Sequence, residues 1–129
     1  MKLSLRSEYA LLSLITLARG AGPGLSLSEI AGSLETPAQT LQDLIDVLLQ
    51  VGLVRRANGK MLLSKAAGQV SVAEIIRLFD GALAPLEPVS EMGYAPAPMD
   101  QEQKLTDLFS GLQEEIVTRL EQTTLADLV

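Results

Sequence analysis

The sequence predicts a mainly α-helical chain carrying one small β-hairpin, and three observations predict it. Two helix starts follow each other closely, an Asn-Gly turn joins two short apolar runs just after them, and the last part of the chain carries a long amphipathic stripe. A chain of 129 residues, 47% of them hydrophobic, has enough apolar surface for one core and little left for a second. The expectation is one domain with an arm for oligomerisation.

From Leu5 to Ala18, the residues Tyr9, Leu11, Leu12, Leu14, Ile15 and Leu17 cover nearly the whole circumference of a helix, as in an element buried between others. Arg19, Gly20, Ala21, Gly22, Pro23 and Gly24 then break the chain. Ser26 with Glu29, and Thr36 with Gln39, have capping-box spacing, in which a hydroxyl and a Glu or Gln three residues on satisfy each other's backbone donors. Pro37 is expected at the first position of the second helix, where its fixed φ fits and its missing N–H costs nothing. Leu41, Leu44, Ile45 and Leu48 give that helix a buried stripe, and Gly52 is placed to end it. A short helix, a tight turn and a longer helix make a helix-turn-helix.

Leu53 to Arg56, a turn at Ala57, Asn58 and Gly59, and Lys60 to Ser64 read as two strands around an Asn-Gly hairpin. A hairpin in this place is a wing. Ser71 and Glu74 form a third capping box, opening a helix from Val72 to Phe79 that buries Val72, Ile75, Ile76 and Phe79 and stops at Gly81. Ala82 to Asp100 contains Pro85, Pro88, Pro96 and Pro98 without periodicity, the composition of an extended linker. Beyond it Leu105, Leu108, Phe109, Leu112, Ile116 and Leu120 form a continuous stripe along a helix of about five turns, on which Glu115 and Arg119 can pair. Such a helix has no core of its own to cover, so a second subunit is its expected partner; folding back on its own domain is the alternative. The expected organisation is a winged helix-turn-helix domain over residues 1–81, a Pro-rich linker over 82–100, and a dimerisation helix with a C-terminal segment over 101–129.

The chain has no Cys and no His, which removes disulfides, thiolate metal sites, cysteine nucleophiles and the commonest general base together. Most enzyme chemistries lack their parts here. Glu114 and Glu115, adjacent on a helix, point to different faces, and Tyr94 in the linker is better explained by packing than by a ligand pocket. Met92 and Met99 could offer thioethers to a soft metal, but two of them without His or Cys make a poor site. Residues 1–65 hold seven basic groups against five acidic ones, a net of +2, whereas residues 66–129 hold three against eleven, a net of −8. Any polyanion contact is therefore expected in the N-terminal half. The apolar run from Ala10 to Ala18 is too short to span a bilayer, and Met1 to Ser4 lacks the form of a signal peptide, so a soluble, cytoplasmic protein without a membrane partner is expected.

Several stretches together resemble the Rrf-type winged-helix transcription regulators, a family that includes regulators of iron-sulfur cluster assembly, nitric-oxide response and cysteine metabolism. Lys2, Leu3, Ser4, then Tyr9, Ala10 and Leu11 look like the family's start, and Leu27 to Ala31 like its first helix-turn-helix helix. Gly52, Leu53 and Val54 look like its entry to the wing, Val72 to Ile76 like the helix that follows, and Thr124 to Val129 like its C-terminal signature. The resemblance covers nearly the whole chain. It implies a homodimer joined through the long C-terminal helix, acting as a repressor on a pseudo-palindromic operator with one recognition helix in each of two successive major grooves.

Three departures from the family pattern bear on function. The loop that often carries three cluster-binding cysteines has none here, which excludes an iron-sulfur cluster held in that manner and leaves no cofactor expected. The wing is short, with Ala57, Asn58, Gly59, Lys60 and Met61 where the family usually has an Arg-Gly pair, several glycines and a Tyr. The recognition helix has no Lys or Arg and carries Asp43 and Asp46. On this reading Lys2, Arg6, Arg55, Arg56 and Lys60 hold phosphates, Gln39, Thr40 and Gln42 face bases, and Ser28, Pro37 and Asn58 complete the DNA-facing set. The dimerisation face is Leu105, Leu108, Phe109, Leu112, Ile116 and Leu120. Double-stranded DNA and a second copy of the chain are the expected partners, with the chemistry of any small-molecule effector left open. The alternative is a regulator that has lost DNA binding and acts through protein partners, as in a heterodimer with an active relative.

Overall fold

The computed structural model describes residues 3–20, 22–81, 83 and 101–129. Tyr94, Met92 and Met99 of the expected linker, and the expected phosphate contact Lys2, lie outside them. Among the described residues the fold has five α-helices and one hairpin: α1 (Leu5–Arg19), α2 (Leu27–Ser33), α3 (Ala38–Gln50), β1 (Val54–Ala57), β2 (Lys60–Leu63), α4 (Val72–Asp80) and α5 (Gln103–Gln122). Short 3₁₀ turns at Ala67–Gln69 and Leu125–Leu128 complete it.

Helix α1 is the centre of the packing, touching α2, α3, α4 and β2. Its buried Ala10, Leu14 and Leu17 meet Ile30 of α2, the stripe Leu41, Leu44, Ile45 and Leu48 of α3, and Ile75 of α4. The expected burial on all sides holds only in part, because Leu5 and Leu12 are 64% and 45% exposed. These two lie seven residues apart on one face, which no other described element covers.

The hairpin forms as its turn chemistry dictates. Asn58 and Gly59 both take positive φ, 53° and 75°, the mirror-image turn that matches strand twist, and the register pairs Ala57 with Lys60 and Val54 with Leu63. A third segment joins the sheet at one residue, where Leu25 and Met61 exchange both backbone hydrogen bonds at 3.0 and 2.6 Å. Gly24 makes that approach feasible: its φ is +90°, and a Cβ there would fall well inside contact with the Met61 carbonyl oxygen.

The C-terminal segment is not a separate arm. The Val72 amide donates to the Thr123 carbonyl at 2.9 Å, the Leu125 amide to the Val70 carbonyl at 3.0 Å, and the Leu125 side chain is fully buried in the main core. Val117 and Leu120 of α5 pack on Val72, Ala73, Ile76 and Leu83, and Arg77 of α4 pairs with Glu121 at 3.2 Å. Arg119 forms no ion pair with Glu115; the ion pair at this end of α5 joins Arg77 of α4 to Glu121.

Two of the three expected capping boxes are present, Ser26 with Glu29 and Ser71 with Glu74. The third does not form. The Thr36 amide is held by the Ala31 carbonyl at 3.0 Å, Pro37 with an extended ψ of 143° takes the N-cap position, and the helix begins at Ala38. Gln39 is then the second helical residue, one short of the position from which a side chain reaches back.

Gly24→Ala should destabilise the fold by about 2 kcal/mol or more, since it adds both a steric clash and a strained φ. Thermal unfolding followed by circular dichroism measures this; an unchanged melting temperature would show that the Leu25–Met61 approach tolerates a side chain.

Candidate nucleic-acid interface

Helix α3 buries Leu41, Leu44, Ile45 and Leu48 and turns the opposite face outward, so Gln39, Thr40, Asp43, Asp46 and Gln50 are all exposed. Asp43 stands one turn beyond Gln39 and Thr40 on the same face, which puts an acid directly beside two of the three residues expected to read bases. Gln42 sits at the edge of this face, half-buried, and its amide donates to the Asp46 carboxylate at 3.0 Å. Its remaining free acceptor is the side-chain oxygen.

The start of α3 is unlike that of any other described α-helix. Side-chain oxygens cap α1 (Ser4), α2 (Ser26), α4 (Ser71) and α5 (Glu102), whereas Pro37 offers none, and no side chain bonds the first amides of α3. The Thr40 amide is taken by the Pro37 carbonyl at 3.0 Å, so the amides left without a bonding partner at the positive end of the helix dipole are those of Ala38 and Gln39.

The cations expected to hold phosphates fall into two groups. Arg55 and Arg56 are exposed on β1, which packs directly against α3, and neither has a carboxylate within ion-pair distance among the described residues. Lys60 on β2 is committed to Glu29 of α2, Nζ to Oε1 at 2.9 Å. That ammonium, with the Ser26 amide adding a second donor, holds the Glu29 carboxyl below its ordinary range. Arg6 is committed elsewhere, its guanidinium lying 5.2 Å from the centre of the Phe79 ring at the α1–α4 junction. Ser28 is exposed on α2, Pro37 occupies the N-cap of α3, and Asn58 forms the hairpin turn.

The α1–α4 junction contains a contact that sequence reading missed. The Ser4 amide donates to Asp80 at 3.1 Å and the Ser4 hydroxyl donates to the other oxygen of the same carboxylate. Burial pushes the Asp80 carboxyl up, but these two hydrogen bonds outweigh it and hold the group below its ordinary value. A separation of 76 residues hides such a pair from any local pattern.

Of the apolar face expected on α5, Leu105, Leu108 and Leu112 are 39%, 56% and 41% exposed, and Phe109 and Ile116 are half-buried. Leu120 differs, because it is spent on packing against α4 within the chain.

A helix pair whose second member turns a polar face outward, followed by a hairpin carrying two unpaired arginines, defines a winged helix-turn-helix protein. Residues 3–129 match the profile of the Rrf2 family, described as iron-dependent transcriptional regulators, so this chain belongs to that family and is a transcriptional regulator, not an enzyme. The helix-turn-helix-type transcriptional regulator CymR of Bacillus subtilis is 30% identical to it over 99% of this chain and 89% of its own length. The structure of CymR, the global cysteine regulator of B. subtilis, is similar with a TM-score of 0.80 at 27% identity, covering 99% of this chain and 95% of that one. IscR of T. potens gives a TM-score of 0.70 at 26% identity, over 99% of this chain and 85% of that one.

The family description names iron, and the donor set of this chain does not fit an iron-sulfur centre. Cluster ligation needs thiolates, the sequence contains neither Cys nor His, and no metal-holding group of three carboxylates converges among the described residues.

The lowered Asp80 carboxyl predicts a pH dependence whose sign is fixed. A group with a depressed folded pKa contributes stability above its unfolded value, near 3.8, and that contribution disappears as pH falls through the folded value. Asp80→Asn should therefore melt below wild type above about pH 5, with the gap closing towards about pH 3. A gap that is constant with pH would remove the Ser4–Asp80 contact as its cause.

Proposed function

We propose that this regulator binds double-stranded DNA as a homodimer, with the first turn of α3 in the major groove of each half-site. The observation that carries the reading is the open start of α3, the one described α-helix that no side chain caps, flanked by the unpaired Arg55 and Arg56. Backbone amides at a helix start bind phosphate without any Lys or Arg, and the arginines add the charge that the helix lacks. Gln39 is the side chain best placed to bond an adenine edge, and Thr40 to meet a thymine methyl. The exposed Leu105, Leu108 and Leu112 of α5 supply the dimer contact, and two-fold symmetry then sets half-sites about 34–36 Å apart. Without a cluster, any switch in affinity works through other groups.

Residues 27–63 hold three basic and four acidic side chains, so few phosphates are neutralised and binding at physiological salt should be weak. Fluorescence titration of DNA from the chain's own promoter region, across a salt series, tests this. With Arg55 and Arg56 of both subunits engaged, the logarithm of affinity should fall with the logarithm of salt at a slope of about −4, and Arg55→Ala should flatten it by about 2. Absence of salt-dependent binding would turn the reading towards a regulator acting through protein partners.

Leu108→Glu places a charge on the exposed face of α5 and should give a folded monomer in sedimentation, with operator affinity reduced at least tenfold through loss of the second half-site. A dimer that survives this change would move the interface off α5.

A further inference from the structure

The lysine nearest the wing's turn is already engaged. Lys60 follows the Asn58–Gly59 turn directly, and its ammonium lies 2.9 Å from Glu29 Oε1, which also accepts the Ser26 amide at 3.1 Å. One carboxylate therefore both caps α2 and ties down the hairpin. The side chains of Lys60 and Glu29 are 38% and 48% exposed, so water and an incoming phosphate reach both.

We propose that Glu29 is an internal competitor for DNA phosphate, holding Lys60 in the free protein and so lowering both the affinity and the salt dependence of DNA binding. This rests on the DNA-binding reading above. Three physical points support it. The counterions released on binding are those condensed on the DNA, and a lysine whose charge is offset by a neighbouring carboxylate neutralises a phosphate less completely than a free lysine, so fewer are released. A phosphate docked on Lys60 would sit within about 6 Å of the Glu29 carboxylate, and the like charges repel. Exposed ion pairs are weak, so the hold is one that a phosphate can break rather than a permanent lock. Arg55 and Arg56, which lack such a partner, are the contrast within the same hairpin.

The charge and the cap are separable, because Gln at this position of a capping box accepts the same backbone amide. Glu29→Gln should raise DNA affinity about three- to tenfold at moderate salt and steepen the salt slope by up to about 2 per dimer, one freed lysine per subunit. Lys60→Met should cost more affinity in the Glu29→Gln background than in the parent, and should return the slope of the double variant to near the parent's. Circular dichroism of each variant reports that the folded fraction is unchanged at the titration temperature. A parent that binds DNA while Glu29→Gln leaves affinity and slope unaltered overturns the competitor and leaves the DNA-binding reading intact. Failure of parent and Glu29→Gln alike to bind at low salt overturns both, and binding that appears only in Glu29→Gln supports both.

Discussion

The return of Leu125 to the core is the constraint on which the arrangement of the whole chain depends. One fully buried leucine contributes about 1.5–3 kcal/mol, and here it arrives with two backbone hydrogen bonds that join residues 70–72 to residues 123–125. The contact fixes the C-terminal end of α5, while Val117 and Leu120 on α4 fix its course for a further turn. A helix of 20 residues is about 30 Å long, and while Val117 and Leu120 near its end pack on α4, Leu105, Leu108 and Leu112 nearer its start are exposed. In a symmetric dimer built on that exposed stretch, the distance between the two α3 helices is then set by packing within each chain. On the homodimer proposed above, half-site spacing would follow from the core.

Electrostatics at the candidate interface follows a different logic from packing. Four of its polar groups are turned on one another, Lys60 on Glu29 and Gln42 on Asp46, both pairs at the surface and both individually weak. Such pairing keeps an acidic surface orderly in water, and it leaves the two arginines of β1 and the backbone amides of α3 as the unneutralised positive charge. The chain's overall acidity, −6, adds a general repulsion from polyanions. Selectivity for sequence suffers less than affinity, since base edges are read by neutral donors and acceptors and phosphates by charge.

Legibility in the sequence tracked the range of each interaction. The hairpin was readable to within a residue because Asn-Gly selects one turn and the turn sets the register. Ser26–Glu29 and Ser71–Glu74 were readable because a capping box is complete within four residues. Thr36–Gln39 carried the same signature and failed, since Pro37 beside it takes an extended ψ and a backbone carbonyl five residues upstream of Thr36 claims its amide. Partners far apart in the chain left no local trace: Lys60–Glu29, Ser4–Asp80 and Leu25–Met61 all required the fold. The residues Thr124 to Val129 could be matched to a family signature, but their role as a clasp is visible only once Val70 and Thr123 stand side by side. The exposed face of α1 was hidden for a related reason, because apolar periodicity reports what a helix can bury and not which neighbours exist to bury it.

The failure at Thr36 is informative about the site itself. A side-chain cap contributes about 0.5–2 kcal/mol, and a threonine one residue before Pro37 could have supplied it had the helix begun a residue earlier. The turn from α2 instead draws the Thr36 amide back to Ala31, pushes the helix start to Ala38, and leaves the Ala38 and Gln39 amides of α3 open. At α2 the opposite solution applies, with Ser26 and Glu29 closing the end and Glu29 drawing in Lys60 as well. Two adjacent helix starts of one motif thus differ in whether the protein satisfies its own donors. A donor left open on an exposed helix is satisfied by water or by a ligand with acceptor oxygens, and a phosphate matches both the geometry of those amides and the sign of the dipole behind them. Together with the unpaired Arg55 and Arg56, the start of α3 is where an anion meets no hydrogen-bonded or ion-paired rival among the described residues.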